Sequence, residues 1–524
     1  MAFRATDLPE RLHDDETLLL PTLLRRRAEA DPDRVFLQNT DGTELTYGQL
    51  DDRVRRWMSE LASAGVSSGD RVATLLPPSF DAVAVWMATA RLGAIETPMN
   101  TALRGEFLAH VLRDCEPRCI VTVSRFADAL DDQDVTCRVL VVDGEGSHAR
   151  NGFSVPSLTT VHDGTEAVLR PHDVATMVYT SGTSGRSKGV VVPWAQEYAT
   201  ARWLMPLDDR EGDVWYGPWA MHHVSGKVGL YGSALLDGRL VIRDGFSTSN
   251  FWTDVRRFGV TSTMIVASTV TFLTQQPPSD ADHDHTLRNV CAAPMPSDPA
   301  EFAKRFGVRL STLFNMTETA SPIVTGWDDF PAGSCGRLRP NVEARIVDDD
   351  GNDVEPGHIG ELLLRSTVPH EIMAGYWRAP ETTVEAWRDL WFHTGDAAKR
   401  DADGNYFFVD RLKDTIRRGG ENISSVELEE AVNRHPLVKE SAAVGMATAW
   451  ADVDVKLFIV PMAGFEAAEL ADYLDRHLPR YMRPTAISVV DELPKTHTAR
   501  IKKAQLRALN DEPVWVRPKR KDTK

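Results

Sequence analysis

From about Phe36 to Val260 the chain alternates short β-like runs with helical patterns. "RVATLLPPS" (Arg71–Ser79) reads as strand then turn, and "FDAVAVWMATARLGA" (Phe80–Ala94) as a helix closed by Gly93. "RCIVTVS" (Arg118–Ser124) and "RVLVVDGEG" (Arg138–Gly146) read as strands, and "DVATMVYTSGTSG" (Asp173–Gly185) as a buried strand running into a polar loop. Such alternation calls for α/β layers with largely parallel sheets. After about Pro331 the texture changes. "VEARIVDDDGNDVEPGHIGELLLRS" (Val342–Ser366) and "AAKRDADGNYFFVD" (Ala397–Asp410) place turn residues between β-like runs, the mark of antiparallel hairpins. From Arg411 a smaller unit mixes helices ("SSVELEEAVNRHP", "AAELADYLDRHLPRYMRP") with strands ("KESAAVGMA", "VDVKLFIVP"). The expected architecture is α/β. A large N-terminal domain over 1–409 holds stacked mixed sheets, with a β-rich subdomain over about 331–409. A small α+β C-terminal domain follows over 414–524.

A chain of 524 residues exceeds a single core. Its formal charge of -17 argues against nucleic acid or an anionic membrane as a general partner. No run reaches the roughly 18 apolar residues that span a bilayer, and the N-terminus lacks a secretory pattern. Cys115, Cys119, Cys137, Cys291 and Cys335 are few and odd in number, which fits a reducing cytoplasm rather than a disulfide framework. The expected state is a cytoplasmic monomer or homodimer. "SDADHDHT" (Ser279–Thr286) alternates acids with histidines but reads as a solvated linker, because adjacent loop residues seldom converge on one ion. "RPKRKDTK" (Arg517–Lys524) reads as a frayed basic tail.

The strongest local signal is "TSGTSGRSKG" (Thr180–Gly189). Glycines permit close backbone approach, hydroxyls donate hydrogen bonds and Lys188 adds a mobile positive charge, a set suited to a polyphosphate. It is not a Walker loop, since no glycine immediately precedes Lys188 and no Ser or Thr follows it. "LFNMTETA" (Leu313–Ala320) places Thr317 and Glu318 after an apolar run, where a carboxylate suits magnesium; Thr-Glu also reads as a helix start. "WFHTGDAAK" puts Asp396 where it could accept both hydroxyls of a ribose, and "VDRLKDTIRRGGENISS" (Val409–Ser425) joins Asp410, Arg411 and Lys413 to a Gly-Gly loop.

In order and spacing these motifs resemble the adenylate-forming superfamily of acyl-CoA synthetases, peptide-synthetase adenylation domains and luciferases. The likeness starts at "LTYGQLDDRV", "GDRVATLLP" and "RLGAIETPMN" and runs nearly the whole chain. It implies a mobile C-terminal domain, ATP and Mg2+ as cofactors, and coenzyme A as co-substrate. A carboxylate attacks the α-phosphate of ATP, and a thiol then attacks the acyl carbon. Such chemistry needs positioning and charge neutralisation more than a covalent nucleophile. By matching position, Thr180, Ser181, Gly182, Thr183, Ser184 and Gly185 line the phosphates with Lys188 beside them. Ala293, Pro294, Phe314, Asn315 and Met316 adjoin adenine or the acyl pocket. Thr317 contacts the α-phosphate region, Glu318 holds magnesium, Asp396 binds ribose, and Arg411 approaches ribose or phosphate. Lys413 falls at a hinge spanning 410–413, and Gly419, Gly420 and Glu421 on the thiolation face. On the substrate side, "GPWAMHHVSGKVGLYG" offers Trp219, His222, His223 and Lys227. Lys227 either pairs with a second anionic group of the substrate or snorkels to solvent.

The chain departs from the family pattern at "LPKTHTARIKKAQLR" (Leu493–Arg507), where Ala499 and Arg500 replace the usual Gly-Lys. Arginine keeps the charge but is a planar fork, not a point charge. Three readings stay open: Arg500 does the lysine's work, Lys502 substitutes, or the activated group is an unusual acid or a non-carboxylate anion. The implied function is therefore AMP-forming ligation of a small acid, the aromatic class included, to coenzyme A. One alternative is a diazotase-like enzyme activating nitrite for an aryl amine, and another is an inactive nucleotide-binding homologue.

Overall fold

A computed structural model describes residues 8–131, 133–143, 153–162, 164–180, 187–204, 213–295, 299–411, 416–418, 421–423, 425–447, 453–478, 482–495, 501–509 and 511–517. The chain separates into two units, Met1–Glu343 with Leu364–Phe392, and Ala344–Leu363 with His393–Lys524.

The first unit is built on two large sheets. One runs, by position, Gly375–Tyr376, Lys188–Pro193, Val174–Thr180, Ile95–Pro98, Arg71–Leu75, Cys119–Thr122, Arg138–Val141 and Phe153–Ser154. Its strands are parallel from Val174–Thr180 onward, while Lys188–Pro193 and Gly375–Tyr376 add antiparallel at one edge. The other runs Arg309–Ser311, Asn289–Ala292, Ser262–Ile265, Val214–Gly217, Arg239–Ile242, Val35–Asn39 and Glu44–Thr46, parallel except for its last pair. The helix Phe80–Arg91 starts at a Ser79 cap, whose side chain accepts from Ala82 N, and every residue in it but Asp81 is buried. A helix buried on nearly every side belongs between layers, and this one joins a large hydrophobic cluster. It closes at Gly93, φ +72, where a Cβ would lie 2.8 Å from Ser68 Oγ. The helix Tyr47–Ser63 opens with a capping box of Thr46 and Gln49.

The second unit carries a sheet ordered Val342–Val347, Gly360–Ser366, Phe392–Arg400 and Tyr406–Arg411, the last two forming the hairpin that "DADGN" announces. Beyond it, Ile416–Arg418 pairs with Glu421–Ile423. A further sheet orders Val438–Ala447, Val453–Pro461, Ala486–Val489 and Trp515–Val516, with helices Ser425–Asn433 and Ala467–His477 contributing to its apolar cluster. Arg517 is not part of a frayed tail. Its guanidinium forms two 2.8 Å bonds to Asp475 and its amide donates to Thr485 O, because the edge strand before it delivers it to that carboxylate. The "SDADHDHT" segment is a short 3-10 turn, Asp280–His283, in which Asp282 pairs with Arg305 at 2.7 Å. Among the described residues no helix is long and apolar enough to cross a membrane, and no group of His, Cys, Asp and Glu is arranged to hold a metal.

Candidate active site

The polar loop after Val174–Thr180 is closed by the sheet itself. Thr180 sits opposite Lys188 in the antiparallel ladder, so the chain leaves and re-enters the sheet at one point. Ser181, Gly182, Thr183, Ser184 and Gly185, within that closure, lie outside the described residues. Lys188 begins the returning strand, and its ammonium sits 5.2 Å from the centre of the Tyr376 ring. The next strand out is Gly375–Tyr376, which pairs with Val190 and Val191. The Tyr376 hydroxyl donates to Glu318 Oε1 at 3.0 Å. Tyr376 thus stands between a cation on its face and a carboxylate at its tip.

Glu318 lies in a turn rather than a helix, so the helix-start reading of Thr317–Glu318 does not hold. The reason is local. Met316 N donates to Thr319 Oγ1 and Thr319 N to Met316 O, which closes the chain on itself. Three further bonds strap the segment: Gln196 Nε2 to Thr317 O at 2.8 Å, Met373 N to Glu318 O at 2.9 Å, and Ser321 N to Asn315 Oδ1 at 3.0 Å. Asn315 therefore spends its carbonyl on holding the turn. Phe314 is buried at the end of the strand Leu313–Phe314. Ala293 continues from Asn289–Ala292, its amide bound to Ile265 O, and Pro294 follows through a cis peptide. The carboxylate of Glu318 is half-buried, and Oε2 has no hydrogen-bond partner among the described residues. A hard oxygen donor is thus available, so the residue fits a divalent cation such as magnesium.

In the segment expected on the substrate side, Trp219 donates to Met264 O at 2.7 Å and stacks on Phe246 with ring centres 6.3 Å apart. The His222 and His223 rings lie 4.4 Å apart at the mouth of the helix Val224–Leu235. Lys227 takes neither of its two expected positions. It is 0% exposed, its ammonium 2.5 Å from Glu96 Oε2 and 3.6 Å from the centre of the Trp86 ring. The charge is matched inside the protein, which is what burial of an ammonium requires.

In the second unit, Asp396 is buried in Phe392–Arg400 and lies opposite Arg411 in the hairpin. Glu361 braces the approach, accepting from Gly395 N at 3.1 Å and meeting His393 Nδ1 at 2.9 Å. The Arg411 side chain, Lys413, Gly419, Gly420, the Glu421 side chain and Arg500 lie outside the described residues. The flanks of Arg500 are described: Lys495 bridges to Ile501, and Lys502 N donates to Pro494 O at 2.7 Å. Lys495 pairs with Glu440 at 2.5 Å. Lys503 pairs with Glu429 at 2.9 Å and donates to Ser425 Oγ, which in turn donates to Asp410.

Sequence reasoning missed Tyr376, Glu96 and Gln196. Tyr376 is 58 residues from Glu318 and Glu96 is 131 from Lys227, so no spacing rule signals either partnership.

Residues 24–377 match the AMP-binding enzyme family and residues 427–500 the AMP-binding enzyme C-terminal domain. The chain is 30% identical over 488 residues to the crotonobetaine/carnitine–CoA ligase of Salmonella typhimurium, covering 88% of this chain and 93% of that one. ATP-bound MatB from Rhodopseudomonas palustris superposes with a TM-score of 0.82 at 26% identity, over 93% of this chain and 98% of that one. The anthranilate CoA ligase AuaEII, in complex with anthranoyl-AMP, gives 0.82 at 25% identity, over 97% and 98%. Fold and matched residues together define an adenylate-forming enzyme. The chain belongs to the AMP-binding enzyme family and is an AMP-forming ligase of the acid–CoA type.

Proposed function

We propose that the enzyme activates a small carboxylic acid, a compact aryl or short functionalised one, as its acyl-adenylate, and passes the acyl group to coenzyme A. The observation that carries this reading is the placement of Lys188 and Glu318 on either side of Tyr376, next to the closure of the polar loop. In the first step a carboxylate oxygen bonds to the α-phosphorus and pyrophosphate leaves. Negative charge grows on the departing phosphates, and a fixed ammonium such as Lys188 offsets it without reorganisation. Glu318 would hold magnesium, which neutralises phosphate charge when bound. Thr180, Ser181, Gly182, Thr183, Ser184, Gly185 and Thr317 would donate to phosphate oxygens. Ala293, Pro294, Phe314 and Met316 would adjoin the base or the acyl pocket. Asp396 would accept the ribose hydroxyls, and Arg411 and Arg500 would bring further positive charge. Lys413 would act as hinge, with Gly419, Gly420 and Glu421 facing the thiol.

Trp219, His222 and His223 suit a compact acid better than a long aliphatic chain, and Asn315 would border its pocket. The acids in the names of two of the relatives above, crotonobetaine or carnitine and anthranilate, are of that size. No observation favours nitrite activation, which enters only as an arm of the test. That test measures pyrophosphate release across a panel of small acids, with and without coenzyme A, and with nitrite plus an aryl amine. Thioester formed only with acid and thiol together supports the reading. Nitrite-dependent AMP formation without thioester would sink it.

A further inference from the structure

The ion pair Lys227–Glu96 joins two layers of the first unit. Glu96 stands on Ile95–Pro98 of the eight-stranded sheet and is 1% exposed. Its carboxylate also accepts from Thr176 Oγ1 at 3.1 Å and Thr74 Oγ1 at 3.4 Å, from the two strands that flank it. Lys227 stands in the helix Val224–Leu235, which packs on Val214–Gly217 and Arg239–Ile242 of the seven-stranded sheet. The residues just before it are the candidate acid-side group, and they are folded tightly onto the same helix. His223 N and Gly226 N donate to Ala220 O and His223 O, and a Cβ at Gly226 would fall 2.2 Å from Ala220 O. The segment 220–227 is therefore folded as one piece with the helix start.

Burying an ammonium and a carboxylate costs several kcal/mol of solvation, and an apolar pair of similar volume is often as stable or more so. The pair is therefore a poor stabiliser. What it supplies is direction, because a 2.5 Å contact to a carboxylate fixed by two threonines sets the rotation and depth of the helix. We infer that Lys227 and Glu96 are positioning residues for acid recognition: they hold Trp219, His222 and His223 in register with the opposite sheet and do not touch the substrate. This rests on the reading of 217–227 as the acid-side segment. It also means that Lys227, matched internally, gives no counter-charge to a second carboxylate of the substrate.

The test compares the wild type with Glu96→Gln, Lys227→Met and the apolar pair Glu96→Leu/Lys227→Met, the last guarding against single variants that fail to fold. Initial rates of pyrophosphate release give KM for acid and for ATP, and amide hydrogen exchange reports on residues 217–232. In the apolar pair the melting temperature is expected to be unchanged or raised. The KM for acid should rise roughly tenfold to a hundredfold, with the KM for ATP within about twofold. Exchange over 217–232 should quicken. Equal rises in both KM values, an unchanged KM for acid, or unchanged exchange would each overturn the inference. Faster exchange in the variant, when the wild type activates no acid, would uphold the positioning role and reject the functional reading. Acid activation by the wild type with unchanged exchange would do the reverse.

Discussion

The Tyr376 hydroxyl donates to Glu318 Oε1 at 3.0 Å while the face of the same ring lies 5.2 Å from the Lys188 ammonium. One aromatic side chain thereby meets a cation on its face and a carboxylate at its hydroxyl. Tyr376→Phe keeps the ring face and removes the donor to Glu318. A hydrogen bond to a charged group contributes about 1.5–3 kcal/mol, so kcat/KM for pyrophosphate release should fall roughly tenfold to a hundredfold. Tyr376→Ala should fall further. A Tyr376→Phe enzyme with wild-type kinetics would mean that Glu318 needs no such brace.

Glu197 gives a prediction in pH. It is 1% exposed, and neither carboxylate oxygen has a hydrogen-bond partner among the described residues. Burial pushes its carboxyl up to about 7, with Lys227 pulling it down and Glu96 pushing it up. In the unfolded chain a glutamate titrates near about 4.3. The folded state therefore binds this proton more tightly. The stability so gained is complete below the unfolded value and is lost as pH rises through about 7. The loss amounts to about 4 kcal/mol. Glu197→Gln removes it, so the stability of wild type minus variant should fall by that order between mildly acidic and mildly alkaline pH in urea titrations. A flat difference curve would refute the assignment.

Leu390 sits at φ +63, directly after Asp389 at φ +57, and is 79% exposed. A side chain in the left-handed region is strained, and this one recovers little by packing. Leu390→Gly should stabilise the protein by about 1 kcal/mol despite the added freedom of the unfolded chain. Thermal melts of Leu390→Gly against Leu390→Ala separate the two effects, since alanine keeps the strain. A lower melting point for the glycine variant would contradict the prediction.

Lys503 closes a buried chain of contacts through Ser425 to Asp410 and, on its other side, to Glu429. Glu429 also accepts from Ala443 N at 2.7 Å, and burial raises its carboxyl despite the lysine. Lys503→Met strands that carboxylate and should cost about 3 kcal/mol. Hydrogen exchange of Val453–Pro461 reads the loss within the second unit. Adding Glu429→Gln should restore part of it. No rescue would mean that Lys503 acts by packing alone.

Local chemistry was legible in the sequence wherever the partners are close along the chain. The strand Val174–Thr180 ends where its hydroxyl-rich loop begins, and "DADGN" marks the hairpin between Phe392–Arg400 and Tyr406–Arg411. Lys188 was legible for the same reason, since a strand returning beside its neighbour brings back a nearby residue. Lys227 shows the limit. Its charge and helix were readable, but whether it faces solvent, substrate or protein depends on a carboxylate on a strand of the other sheet. Tyr376 is similar, being a residue of ordinary appearance whose role arises from edge pairing with Val190. At Met316–Thr319 the sequence left a turn and a helix start both open, because the deciding bond, Met316 N to Thr319 Oγ1, is backbone to side chain and does not alter the apolar pattern.

The chain passes between its two units at 343–344, at 363–364 and again at 392–393. Neither unit is a continuous stretch of sequence. For anyone exchanging parts between related ligases, this makes the natural unit of inheritance a pair of segments. A swap of everything after residue 392 leaves the donor's Ala344–Leu363 behind, and the sheet that places Asp396 would then be assembled from strands of two parents. Chimeras that carry 344–363 together with 393–524 keep that sheet's parentage nearly whole, and they are the ones that should hold Asp396 in its native strand.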